Sequence, residues 1–144
     1  MVTLEVWYNQ EPDNDYAEGD PPILVSTAAE LDALIAQVQA DTKGLPVPSM
    51  IECSVQGDPR RGVFDMGIGQ ETGFVMFMTP RSAHTVGDAS LTGNVIYDYM
   101  GNASEISARY VVPLAEARRV AVAFLEREEL PCSAKTCERR GEGE

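Results

Sequence analysis

Basic residues are scarce in this chain and missing from its first third. Across 144 residues, 11 Lys and Arg stand against 23 Asp and Glu, giving a formal net charge of −12 and a pI near 4.4. From Met1 to Thr42 there are nine acids and no Lys or Arg; the first base is Lys43. Such a chain repels nucleic acid and anionic membrane surfaces and is steered towards basic partners. Arg60-Arg61 and Arg118-Arg119 are isolated pairs, not a nucleic-acid face. Histidine is scarcer still. His84 stands alone in the loop-like run from Pro80 to Thr85, so a Ser or Cys nucleophile has a single potential base, with no motif around it.

Cysteine is also rare. Cys53, Cys132 and Cys137 are odd in number, which argues against a disulfide framework, and their spacing, without His partners, does not suit zinc. No apolar run approaches the roughly 18–20 residues of a membrane span. The start, MVTLEVWYNQEPDND, has neither a basic n-region nor an apolar h-region, so a cytoplasmic protein is expected. Gly67-Ile68-Gly69 lacks the lysine and the strand–glycine–helix context of a phosphate loop. Asp13 and Asp15 do not have the spacing of an EF-hand. No catalytic constellation and no cofactor site emerges. A binding protein is favoured over an enzyme.

What is present suits one globular domain. The 44% hydrophobic and 24% charged content is ordinary, and the length allows a real core. The plainest segment is YVVPLAEARRVAVAFLEREELP, Tyr110 to Pro131. Pro113 suits a first helical turn, and Glu116 suits the positive end of the helix dipole. Leu114, Ala117, Val120, Ala121, Phe124 and Leu125 recur at helical spacing, and Pro131 is expected to stop the helix. A second helix follows Ser26, with Thr27 and Glu30 as a capping box and Leu31, Leu34, Ile35 and Val38 as its apolar stripe, ending near Asp41.

Val2 to Tyr8 alternates as a strand, Ile23-Leu24-Val25 reads as a short one, and Asn9 to Pro22 between them is a long acidic loop. Met50 to Gln56, Val63 to Gly69 and Phe74 to Met78 form a meander. Asn94 to Met100 and Glu105 to Val112 are two further strands. The expected fold is α+β: one antiparallel sheet of about five to six strands with two amphipathic helices packed on it. Residues 1–131 make the domain, and 132–144 a poorly ordered polar tail. Trp7, Tyr97 and Tyr99 are, by type, more often core or sheet residues than ligand platforms.

The segment Ile96-Tyr97-Asp98-Tyr99-Met100-Gly101, a strand ending in Val112-Pro113, and a helix with Ala117 and Phe124-Leu125 leading to Pro131 carry a resemblance. It is to the immunity protein one family, small proteins encoded beside deaminase-type toxins in bacterial polymorphic toxin systems. The likeness is most specific over residues 94–131. It departs from the family pattern at Glu128-Glu129-Leu130, where Thr-Gly is usual, and in having no tryptophan after Pro131.

The resemblance implies a stoichiometric, non-enzymatic inhibitor of a nucleic-acid-targeting toxin domain, with no nucleic acid or membrane partner of its own. A toxin acting on nucleic acid presents basic surface, which an acidic plug can imitate. The expected contacts are the loop acids Glu11, Asp13, Asp15, Glu18 and Asp20 with Tyr16 as anchor. A second surface comprises Glu71, Tyr97, Asp98 and Tyr99. The alternatives are a small acidic regulatory or scaffold domain that binds another cellular protein, and an enzyme or small-molecule binder whose site is built from distant residues.

Overall fold

The computed structural model describes residues 1–8 and 22–131. Nine strands and two helices follow in chain order: β1 (Leu4–Trp7), β2 (Ile23–Val25), α1 (Ala28–Thr42), β3 (Ser49–Val55), β4 (Val63–Ile68), β5 (Thr72–Thr79), β6 (Ala83–His84), β7 (Asn94–Tyr99), β8 (Asn102–Ser107), β9 (Val112–Pro113) and α2 (Leu114–Arg127). The strands form one open sheet with the path β2-β1-β3-β4-β5-β6; β9 also pairs with β5. Every pairing is antiparallel except a single parallel register, Ser49 opposite Asp98, which ties the β7–β8 hairpin to β3.

The α+β class is as expected, but the strands outnumber the expected five to six. Beyond the seven segments read as strands, β6 and β9 have two residues each, too few to show a period of two. His84, expected in a loop, lies in β6 opposite Met76. The expected strand from Glu105 to Val112 is broken by a 3-10 turn at Ala108–Tyr110.

Both helices cover one face of the sheet. The α1 stripe Leu31, Leu34, Ile35 and Val38 and the α2 stripe Ala117, Val120, Ala121, Phe124 and Leu125 are buried against Leu4, Val6, Ile51, Cys53, Phe64, Met66 and Phe77. Phe124 packs edge-on to Phe64 and Phe77, with ring centroids 5.7 and 5.0 Å away. Thr27 Oγ1 accepts the Glu30 N–H at 3.1 Å, and the Glu30 carboxylate reaches back to the Ser26 N–H at 2.7 Å, one residue before the cap. The N–H of Leu114, which has no partner within α2, donates to the Glu71 carbonyl at 3.0 Å.

The stop of α2 differs from expectation. Glu128 enters the left-handed region at φ 55°, and its N–H bonds Phe124 O, so the helix has ended before Pro131. A bidentate Arg61–Glu128 pair, at 3.0 and 2.6 Å, fixes that turn.

The second face of the sheet is partly roofed by the β7–β8 hairpin. Met50, Phe74, Tyr97 and Ile106 make a small second core there, with Val95, Tyr99 and Met76 packed around it. Gly67 of β4 makes this possible. A Cβ at that position would come within 2.3 Å of the Phe74 ring and 2.7 Å of Tyr97, so only a glycine leaves the notch the two rings fill.

Candidate functional site

Among the described residues, none of the nine strands contains a Lys or Arg, whereas Glu5, Glu52, Asp65, Asp98 and Glu105 all lie on strands. The arginines that form ion pairs are elsewhere. Arg60 and Arg61 lie in the β3–β4 turn, and Arg118, Arg119 and Arg127 on α2, where they meet Asp58, Glu128, Asp32, Glu116, Glu126 and Glu129. The arginines of α2 and of the β3–β4 turn are therefore each answered by an acid, whereas the strands carry acids without a Lys or Arg.

Register assembles one row across the second face. Trp7 faces Glu52, Glu52 faces Asp65, Asp65 faces Met76, and Met76 faces His84. Directly opposed residues on an antiparallel pair point to the same side with Cβ atoms about 4.5–5.5 Å apart. Leu4 and Val6 of β1, Ile51 and Cys53 of β3, and Phe64 and Met66 of β4 turn to the helices, so their alternates, this row, turn away. The Tyr99 hydroxyl descends from the hairpin onto Glu52 at 3.4 Å.

Two carboxylates are thus register neighbours on that face, with the Tyr99 hydroxyl on Glu52. Asp65 is only 9% exposed and, among the described residues, has no hydrogen-bond or ion-pair partner. Burial, followed by the neighbouring Glu52 charge, pushes its carboxyl up to about 7. Burial, followed by the Glu52 charge, also lifts the Tyr99 phenol above its usual value.

The expected contact residues divide. Glu11, Asp13, Asp15, Tyr16, Glu18 and Asp20 lie outside the described residues. The described strands on either side of them are adjacent, with Val6 opposite Ile23. Glu71 is exposed at the β4–β5 turn, and Tyr97, hydrogen-bonded to Thr72, places β7 at the same end of the sheet. Tyr97 itself is 1% exposed with its ring 4.9 Å from Phe74, a core residue that cannot touch a partner. Asp98 and Tyr99 are partly exposed.

Residues 19–135 match the family model described as Immunity protein Imm1. The chain belongs to the Immunity protein Imm1 family. No curated protein matches it. The matched span runs beyond residues 94–131, where the resemblance was most specific, and takes in every element from β2 to α2. Membership carries an immunity-protein role and with it the binding of a cognate toxin protein. No helix among the described residues is long and apolar enough to cross a membrane.

Glu52 and Asp65 were missed by sequence reasoning although a signal existed. Each is one acid in the middle of an otherwise apolar strand, SMIECSV and VFDMGI, where acids are depleted. A separate cleft of about 340 Å³ lies between β6 and α2, lined by His84, Thr85, Glu116, Arg119, Val120 and Leu130 among others. Its groups are already engaged. Arg119 pairs with Glu116 at 2.5 Å, and His84 holds the Thr85 carbonyl at 2.9 Å while stacking on Tyr110 at 3.8 Å. Cys53 is fully buried with its thiol pushed well up, so it is an inert core residue.

Proposed function

We propose that this Immunity protein Imm1 family member binds and blocks a cognate deaminase-type toxin domain that acts on nucleic acid, as an acidic stoichiometric inhibitor. The observation that carries the reading is the charge segregation: a sheet with acids and no Lys or Arg, opposite a helix layer whose arginines are paired. A basic substrate groove on the toxin would find its complement on the sheet side. Inhibition proceeds by occupation, without catalysis, in the cytoplasm of a bacterium carrying a polymorphic toxin system.

In this reading Glu11, Asp13, Asp15, Glu18 and Asp20 steer encounter, with Tyr16 as anchor, and Glu71, Asp98 and Tyr99 add contacts. Steering of this kind speeds association more than it deepens affinity. The test is co-expression with the toxin encoded beside the gene, co-purification, and association kinetics at several salt concentrations. A 1:1 complex is expected, with association that slows as salt rises. Replacing the five loop acids by Ser should slow association and flatten its salt dependence. Salt-independent association would contradict the electrostatic reading, and absence of a complex would contradict the partner.

A further inference from the structure

Proteins do not usually leave a buried carboxylate beside another acid with no cation to answer it. Asp65 is such a group. It lies on β4 in the interior of the sheet, 9% exposed, with Glu52 as its register partner on β3 and no partner of opposite charge among the described residues. The charged and titratable groups around it are Glu52 on β3, Tyr99 from the β7–β8 hairpin and the inert Cys53; on β5 its neighbour is the uncharged Met76. The array therefore holds two acids and a phenol and no Lys or Arg; the one histidine of the row, His84, lies beyond Met76 and is engaged with the Thr85 carbonyl and the Tyr110 ring.

We infer that Glu52 and Asp65, with Trp7 as the register neighbour of Glu52 and Tyr99 hydrogen-bonded to it, form a recess that receives one arginine side chain of the toxin. The inference rests on the partner reading above and adds the chemistry of the contact. A guanidinium fits the recess better than an ammonium. It is planar, its donors fork to two acceptors, and it stacks on aromatic faces. Glu52, half-buried, meets it at the rim; Asp65 meets it at the floor. Asp65 then carries a specific role: once desolvated by the docked toxin, it is strongly favourable only if an arginine arrives, which discriminates against partners lacking one at that point.

The recess is tested first without the toxin, by NMR of the full chain titrated with acetyl-arginine-methylamide. The expected result is saturable shifts of the Glu52 and Asp65 carboxyl carbons and the Trp7 indole N–H, with a fall in the Asp65 pKa. Acetyl-lysine-methylamide should give weaker shifts. Asp65→Asn should abolish the response, and Asp88→Asn, at a distant exposed acid, should retain it. Shifts at Asp65 no larger than those at Asp88, or unchanged in D65N, would overturn the inference.

With the toxin in hand, D65N and E52Q should each raise the dissociation rate by about 30-fold or more, while D88N leaves it unaltered. Unaltered dissociation in both recess variants would also overturn it. The two arms separate the readings. If no toxin binds the wild type, the partner reading fails, and the arginine titration alone decides the recess.

Discussion

The Asp65 carboxyl makes the folded state sensitive to pH in a direction opposite to that of most acids. Its value rises from 3.8 to about 7 on folding. Between those values the folded chain holds a proton that the unfolded chain has released. Stability therefore falls as pH rises through that window and levels off above about 7. At roughly 1.4 kcal/mol per pH unit, the difference amounts to as much as about 4 kcal/mol lost by pH 8. Asp65→Asn keeps the shape and removes the charge. Urea unfolding of both proteins from pH 4 to pH 8 should show near-equal stability at the acid end and a growing advantage for the variant above it. The exposed acids whose values are lowered by partners, Asp32 by Arg118 and Glu128 by Arg61, cancel in this comparison because both proteins keep them. A gap independent of pH, or a variant less stable at pH 8, would refute the assignment of Asp65 as a buried, unanswered carboxyl.

Other outcomes follow from the packing. Phe124→Ala removes the ring that joins α2 to Phe64 and Phe77 and should cost about 3–5 kcal/mol in urea unfolding; a loss below about 1 kcal/mol would deny it a place in the core. Gly67→Ala drives a methyl into Phe74 and Tyr97 and should cost about 1–3 kcal/mol, with NMR shifts concentrated in the β7–β8 hairpin rather than in the helices. Thr27→Ala removes the cap of α1 and should cost about 1 kcal/mol, measured by the same unfolding curves.

The two helices were legible because their signals are local. Leu31, Leu34, Ile35 and Val38 fall at helical spacing whatever lies around them, and Thr27 caps the chain three residues ahead of it. The end of α2 was less so. Glu128 takes a left-handed conformation that a non-glycine residue rarely adopts, held there by Arg61, 67 residues away in the chain. The roof over the second face was hidden for a similar reason. Tyr97 reads as an ordinary strand aromatic until Gly67 is seen to leave it a notch. The recess needed register as well. Glu52 and Asp65 oppose each other because the turn through Pro59–Arg61 sets the β3–β4 register, and the irregular β4–β5 pairing at Val63 and Phe64 sets Asp65 against Met76; neither is encoded by a local pattern.

Stoichiometric inhibition of the proposed deaminase-type toxin by an acidic face is tested most directly by titrating the activity of that toxin with the purified chain. Activity should fall linearly and reach its floor at one equivalent, with D65N reaching the same floor only at several equivalents. Deamination that persists at a large excess of the wild-type chain would contradict the account.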